Sequence, residues 1–461
     1  MTLDSNLSDK RPDFRRKILN SAKLSSLKFM SDIGLRLVST VVLTRLLTPE
    51  IYGVFAIVLV YLYLLEMFSD LGIRSLVLTK EGEVEDDFLR TCWTVTILRG
   101  LLIALISVAI AATIGLMQAQ GIFASDNPYS AEVLPWAIVA LGATASLVGF
   151  QSPMAFVSER KMDFGRVTWV AIVTNVIGLV ATVALAFYLR SIWALVLGNV
   201  VKSCTQVALS FLVFRGPPMR LHMSREHLGI VIGRGKWIIG HSILTAFSQS
   251  ADRLVLGFVM TSSTFGFYFI ARQLVDLVLR FLMSIDAQMG LQVFTHLHQS
   301  ATAEFRRNYY RYRLFFDALA GLSTGGLIVV APLLVRIVFD DRYQGVAPIV
   351  QTLIWGVLLV GPLLLRSAFS AERRFKEMTL LSVVSVLTLW IGLGVSIFIF
   401  DSVNIALSVI ALHRLPEAMV CTLWGGDRDW VVIWREFIGF GFCVVGMLAG
   451  WAVILLWNAL I

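Results

Sequence analysis

Stretches of 20 or more mostly apolar residues recur from Ser21 to Ile461, and short polar linkers separate them. A helix of about 20 residues crosses roughly 30 Å of hydrocarbon. Because lipid offers no partner to backbone N–H and C=O groups, a spanning segment must be a helix or part of a closed barrel. Barrel strands are about ten residues long and alternate apolar with polar residues, whereas these runs are longer and apolar on all sides. The sequence therefore predicts an all-α polytopic membrane protein.

Thirteen spans are predicted and are numbered 1 to 13 in chain order. The last one is the least defined, because the segment from Trp430 to Trp434 also fits a position flat on the membrane surface. The predicted spans cover residues 21–47, 51–73, 93–117, 131–155, 165–188, 191–215, 229–260, 263–292, 312–339, 345–370, 377–400, 402–424 and 435–460.

The basic residues predict the orientation of the chain. With these spans, 28 of the 39 Lys and Arg residues fall on one side, three on the other and eight inside the spans. Short cytoplasmic loops carry an excess of Lys and Arg, so the basic side is assigned to the cytoplasm. The N-terminus is then cytoplasmic, and thirteen spans would place the C-terminus outside. This topology accounts for the net charge of +8 without nucleic-acid binding.

A ten-residue pattern occurs twice, at Thr48–Ile57 and Thr261–Ile270, 213 residues apart, with Thr, aromatic, Gly, aromatic and Ile at matching places. The copies join spans 1 to 2 and 7 to 8. Because six spans separate the copies, the two halves have the same orientation, as in transporters built from parallel repeats. Chance similarity in a restricted alphabet is the alternative. The predicted parts are a cytoplasmic basic tail (1–20), an N-lobe of spans 1–6 (21–215), a cytoplasmic linker (216–228), a C-lobe of spans 7–12 (229–424), and a loop with an extra helix (425–461).

Most ionisable residues within the spans lie on spans 1, 2, 7 and 8. A charge at the bilayer centre costs about 2.5–3.5 kcal/mol on insertion scales and usually faces a cavity or a partner. Arg272, Asp276 and Arg280 follow one another at intervals of four residues and so share one face of span 8. Asp32 and Arg36 form the same pair on span 1. These pairs predict a water-filled, net cationic cavity that holds a phosphate, for which the planar guanidinium of arginine is suited.

The candidate site divides into two groups of residues. Arg36, Lys202, Arg253, Arg272 and Arg280 are the candidates for binding a diphosphate. Asp32, Asp70, Asp252 and Asp276 are the candidates for charge pairing or gating. The alternative is that these residues only hold helices together by buried ion pairs, with Asp70 and Arg74 as a structural pair. Arg45, Arg99 and Arg414 are interpreted as snorkelling or helix-end residues.

Four passages resemble the polysaccharide-transporter branch of the multidrug/oligosaccharidyl-lipid/polysaccharide exporter superfamily. They are TRLLTPEIYGVF at 44–55, FSDLG at 68–72, SERKMDF at 158–164 and FDDRYQGVAP at 339–348. The resemblance implies two six-helix lobes related by a pseudo-two-fold axis along the membrane normal, with spans 1, 2, 7 and 8 lining a V-shaped cleft. It also implies export of lipid-linked oligosaccharides, commonly undecaprenyl-diphosphate intermediates, with cavity arginines at the diphosphate. A thirteenth helix departs from the usual twelve or fourteen.

The function expected is therefore an alternating-access flippase in the bacterial inner membrane, acting in exopolysaccharide or O-antigen assembly. A multidrug antiporter of the same superfamily is the first alternative, although a cation exporter favours an acidic cavity. A membrane glycosyltransferase or ligase is the second, against which the short outer loops and the lack of a catalytic carboxylate cluster argue. No HExxH, Walker A or nucleophile-elbow motif occurs, and the six histidines have no metal-ligand spacing. We expect no cofactor and no metal. The expected partners are membrane lipids, the lipid-linked substrate, a polymerase and glycosyltransferases.

Overall fold

The computed structural model describes residues 10–297 and 302–460, and within these ranges the regular structure is helical. The all-α membrane fold predicted from the apolar runs is confirmed. The α-helices, in chain order, are α1 Lys10–Leu46, α2 Pro49–Phe68, α3 Ile73–Thr79, α4 Asp86–Ala119, α5 Leu134–Gly149, α6 Met154–Arg160, α7 Phe164–Leu189, α8 Ile192–Val213, α9 Arg225–Val259, α10 Ser262–Leu297, α11 Thr302–Val338, α12 Val346–Leu353, α13 Val360–Leu363, α14 Leu365–Ala371, α15 Phe375–Phe398, α16 Val403–Leu412, α17 Leu415–Gly426 and α18 Ile438–Leu460. Short 3₁₀ helices lie at Pro128–Ser130, Asp341–Tyr343, Ile354–Leu359 and Ile433–Phe437.

The described chain divides into two compact units. One comprises residues 10–47 and 54–250, and the other comprises 48–53, 251–297 and 302–460. In the first unit α4 packs on α5, α7 on α8, and α1 on α7. In the second unit α11 packs most extensively on α18, and α10 packs on α12 and α14. The predicted lobe boundaries around residues 216–228 stay a prediction.

Fewer helices meet the length and composition expected of a membrane span than the thirteen that the sequence predicted. Within the described residues nine helices are long and apolar enough to cross a membrane, or ten if the bent pair α5 and α6 is one span. The long helices α1, α9 and α10, of 37, 35 and 36 residues, are not among them. These three helices carry most of the candidate charged residues, which lowers their mean hydropathy. The count of thirteen is therefore not confirmed.

Several predicted spans are interrupted in the structure. Span 4 was predicted as one helix over 131–155, but α5 ends at Gly149 and α6 begins at Met154, at an angle of 62°. Spans 10 and 12 are also broken, at the 3₁₀ segment Ile354–Leu359 and between α16 and α17. Proline lacks the N–H that continues a helix and disfavours the α conformation in the residue before it. Pro153, Pro362 and Pro416 lie beside the three breaks.

The last predicted span forms a helix that packs closely on α11. Glycines on both helices allow the backbones to approach, as is usual where membrane helices pack on one another. A Cβ at Gly321 would lie 2.6 Å from the carbonyl oxygen of Gly439, and one at Gly446 would lie 2.7 Å from that of Leu322. The segment Trp434–Ala459 is long and apolar enough to span. The thirteenth helix is thus an integral part of the second unit.

Candidate functional site

Five of the predicted residues form one charged cluster in the second unit, which we call the α9–α10 cluster: Asp252, Arg253, Arg272, Asp276 and Arg280. The guanidinium Nε of Arg272 lies 3.0 Å from Oδ1 of Asp276. The other carboxylate oxygen of Asp276 lies 3.9 Å from Nη2 of Arg280 and 3.9 Å from Nη2 of Arg253. Asp276 therefore lies between three arginines, as the four-residue spacing on α10 predicted for two of them.

Asp252 is the most buried member of the α9–α10 cluster. Its side chain is only 5% exposed. It accepts hydrogen bonds from the Tyr268 hydroxyl and, at 2.9 Å, from the backbone N–H of Arg253. Nη1 of Arg272 lies 3.9 Å from its second oxygen. A buried carboxylate with these partners holds α9 and α10 in register and orients Arg272.

The positive charge of the cluster is accessible at one end. The Arg280 side chain is 57% exposed, against 23% for Arg272. Nε of Arg253 is buried and makes no hydrogen bond to any of the residues that the structure describes. Three arginines face two carboxylates, so the cluster is net positive. The arrangement can accept an anionic group at the exposed side of Arg280.

Arg414 adds to this positive charge, although the sequence analysis interpreted it as a snorkelling residue. It lies at the break between α16 and α17, with an exposed side chain. Electrostatic interactions couple it to Arg272 and Asp276 as well as to Glu417. Pro416, two residues later, was the sequence signal that could have indicated an interrupted helix here.

Three further predicted residues form a second cluster, the α1–α8 cluster, in the first unit. Asp32 accepts a hydrogen bond of 2.7 Å from Nδ2 of Asn175. Lys202 interacts electrostatically with Asp32 and Arg36. A Cβ at Gly178 would lie 2.9 Å from Cβ of Lys202, so this glycine leaves room for the lysine stem. Asn175, a neutral side chain within an apolar run, was missed by the sequence analysis.

Asp70 belongs to neither cluster. Its Oδ1 accepts a hydrogen bond of 2.9 Å from the N–H of Gly72, whose φ of 63° requires the left-handed conformation. The expected pair between Asp70 and Arg74 is not found, because Arg74 Nε lies 2.7 Å from Oε2 of Glu159 on α6. The local role of Asp70 is to shape the turn between α2 and α3.

A buried charge network between α11 and the 3₁₀ turn Ile433–Phe437 was also missed. Arg313, counted as a surface residue in the charge asymmetry, is fully buried, and its Nε lies 3.0 Å from Oδ2 of Asp317. The same guanidinium pairs with the carboxylate of Glu436, and the Tyr309 hydroxyl lies 3.2 Å from it. Hydropathy alone could not have separated Arg313 from its exposed neighbours in the basic run 306–313.

No group of three or more His, Cys, Asp or Glu residues in the described ranges could hold a metal ion. The side chains of the two clusters offer electrostatic attraction and hydrogen bonding by arginine, lysine, asparagine and carboxylate groups. That chemistry can bind, orient and release an anion.

Comparison with known proteins identifies the family and the fold. The chain is 23% identical over 341 residues to the lipopolysaccharide biosynthesis protein WzxC of Escherichia coli (strain K12), and the match covers 74% of this chain and 66% of that protein. The chain thus spans about two thirds of the length of this curated relative.

Solved structures of the same fold include the inward closed conformation of the lipid II flippase MurJ, with a TM-score of 0.65, 12% identity and coverage of 94% of this chain and 98% of that one. They also include an inward-facing multidrug resistance MATE family transporter of the MOP superfamily, with a TM-score of 0.62, 14% identity and coverage of 89% and 98%. These likenesses show that the chain shares the fold of these two proteins. The model of the polysaccharide biosynthesis protein family matches residues 42–348, two thirds of the chain, and the chain belongs to this family.

Proposed function

We propose that the chain is a flippase that moves lipid-linked oligosaccharides of the undecaprenyl-diphosphate type across the bacterial inner membrane, for exopolysaccharide or O-antigen assembly. The observation that carries the proposal is the net positive α9–α10 cluster with its exposed Arg280. A diphosphate is a compact dianion with several acceptor oxygens, and arginine binds such oxygens in pairs. The relative from E. coli is named for lipopolysaccharide biosynthesis, and a neighbour of the same fold is a lipid II flippase.

The transport cycle proposed is alternating access with the N-terminus in the cytoplasm. The sugar diphosphate enters from the cytoplasmic side, where glycosyltransferases assemble it, and neutralises the arginines. The conformation then changes so that the site opens to the outside, where a polymerase takes up the sugar. The lipid tail stays in the bilayer throughout. Ion pairs of Asp276 with Arg272 and Arg280 hold the guanidinium groups while the site is empty, and the diphosphate competes with Asp276 for them.

Export of cationic drugs is the alternative for a protein of this fold, since a multidrug transporter is also a structural neighbour. A cation needs carboxylates whose charge is not already neutralised. In the α9–α10 cluster both carboxylates contact arginines, Asp252 by way of Arg272 and Asp276 by way of three arginines. The charge balance therefore favours an anionic substrate.

The test is a polysaccharide-export complementation assay with Arg272→Ala, Arg280→Ala and Arg414→Gln. Losing a charge-assisted hydrogen bond costs about 1.5–3 kcal/mol, so export should fall by about tenfold or more in each variant. Arg336→Gln is the matched control, because Arg336 is exposed at the opposite end of α11 from the basic run. Membrane levels are measured by immunoblot for every variant. Normal export by both Arg272→Ala and Arg280→Ala at normal membrane levels would show that the cluster does not bind the substrate.

A further inference from the structure

A pocket of about 480 Å³ opens between the first half of α11 and the start of α18. Its basic lining residues are Arg306, Arg307 and Arg311 from α11 and Arg435 from the 3₁₀ turn before α18. On α11 these arginines alternate with Tyr310 and Leu314 at helical spacing, so all of them share one face. The pocket lies wholly in the second unit and does not include any residue of the α9–α10 cluster.

The positive charge of this pocket is not compensated by nearby carboxylates. Across residues 10–297 and 302–460, Arg306, Arg307 and Arg311 make no ion pair. The one carboxylate in the lining, Asp317, lies 3.0 Å from the buried Arg313 and is thereby neutralised. A concave site with several unpaired arginines attracts an anion with several oxygens.

The rim of the pocket is apolar and aromatic. Trp434 and Phe437, which are next in the chain to the lining residues Arg435 and Ile438, are 67% and 61% exposed, and the lining residue Leu314 is exposed as well. Arg435 lies over the rings of Tyr310 and Trp434, 5.3 Å from each centroid. Exposed aromatic residues next to basic residues at the ends of apolar helices are typical of the interface between lipid tails and headgroups. A site for free phosphate needs no apolar surroundings. The apolar rim therefore favours a lipid headgroup over free phosphate as the ligand of this pocket.

We propose that this pocket binds the headgroup phosphate of an anionic membrane phospholipid, whose acyl chains lie along the exposed apolar face of α11 and α18. Basic pockets between membrane helices are suited to such headgroups. The bound lipid bridges α11 to α18 and adds to the contact made by the glycines and by the Arg313 network. The bound lipid then contributes to the packing of α18 on α11, and the protein is more stable in membranes that contain anionic lipid.

The test compares full-length protein in nanodiscs of phosphatidylcholine with nanodiscs that also contain phosphatidylglycerol. The apparent dissociation constant for phosphatidylglycerol and the thermal unfolding temperature are measured for each. The pocket variant is Arg306→Gln/Arg307→Gln/Arg311→Gln. The matched control is Arg215→Gln/Arg220→Gln/Arg225→Gln, which removes the same charge from three exposed arginines outside the pocket. A third variant replaces the three pocket arginines by lysine and keeps the charge.

Phosphatidylglycerol should raise the unfolding temperature of the wild type and of the control. Each basic residue near an anionic surface contributes about 1 kcal/mol, so the pocket variant should bind the lipid at least about tenfold more weakly. The lysine variant should bind at intermediate strength, which would also show that the pocket folds without arginine. Equal loss in the control and the pocket variant would overturn the proposal, because it would indicate attraction by net charge alone. Equal stabilisation by inorganic phosphate in phosphatidylcholine nanodiscs would overturn it too, because the site would then bind free phosphate.

Discussion

Gly53 and Gly266, the glycines at matching places of the ten-residue repeat, contact each other in the second unit. A Cβ placed on either glycine would lie 3.2 Å from the backbone nitrogen of the other. The same Cβ on Gly53 would overlap the carbonyl oxygen of Ser262, and one on Gly266 would overlap that of Pro49. Pro49 and Ser262 are also 213 residues apart, so the contact is reciprocal. The repeat is therefore a packing unit in which α2 and α10 begin against one another.

Alanine at either glycine should destabilise the protein. Overpacking typically costs about 1–3 kcal/mol, and here the obstacle is backbone, which cannot turn aside. Gly53→Ala and Gly266→Ala should each lower the thermal unfolding temperature of the purified protein in detergent. Gly115→Ala on α4 is the control, since a Cβ there meets no atom within 4 Å. Alanine is the better helix former by about 1 kcal/mol, so the control should unfold at the same or a higher temperature.

The repeat shows what could be predicted from the sequence and what could not. The aromatic residues at matching places, Tyr52 with Phe265 and Phe55 with Tyr268, are all buried, as a structural repeat requires. The Tyr268 hydroxyl, absent from Phe55, reaches Asp252. A side-chain pattern predicts which positions are equivalent, but the reciprocal backbone contact depends on how two helices dock, and no local signal encodes that.

Arg272 and Asp276 should couple in stability but not in export. Asp276→Asn leaves three arginines without their shared carboxylate, and Arg272→Ala removes the closest partner of Asp276. If the pair stabilises the helices, the double variant should lose less unfolding free energy than the two single variants do in sum, by about 0.5–3 kcal/mol. Export should stay low in the double variant, because Arg272, the proposed phosphate ligand, is still missing. Recovery of export together with stability would show that the residues only hold helices together.

Arg313→Met should be among the most destabilising single changes in the second unit. It leaves Asp317 and Glu436 buried without their cation, and breaking a buried pair in this way costs about 3–5 kcal/mol. The variant should unfold at a clearly lower temperature, and α18 should become accessible to limited proteolysis at the segment before Ile438. Arg336→Gln, exposed on the same helix, should leave both measurements unchanged. If Arg313→Met and Arg336→Gln had the same unfolding temperature, the network would not contribute to stability.

The Arg313 network also explains why charge counting located the basic side but not the roles of its residues. Arg306, Arg307, Arg311 and Arg313 lie within eight positions of one another and have the same chemistry. Only Arg313 is fully buried, and its partner Glu436 lies more than 100 residues later in the chain, so no local signal shows which of the four arginines turns inward. Asn175 was missed for a similar reason: its contact with Asp32 spans 143 residues. Residues of the site that repeat at four-residue intervals within one helix, such as Arg272 and Asp276, could be predicted to lie together; contacts across helices could not.

The position of the C-terminus tests the predicted count of thirteen spans. By length and composition, nine or ten helices within the described residues could span the membrane. α1, α9 and α10 are each long enough to span, since 35 residues of helix extend about 50 Å. If all three span and α18 crosses as well, the N-terminus and the C-terminus lie on opposite sides. Alkaline phosphatase fused after residue 461 should then be active, and green fluorescent protein at the same place should be dark. Fusions after residue 430, before α18, should give the opposite pattern, because the linker 425–434 is predicted to be cytoplasmic. The same reporter activity at both positions would mean that α18 does not cross, and a reversed pattern would mean that the number of spans before it is odd.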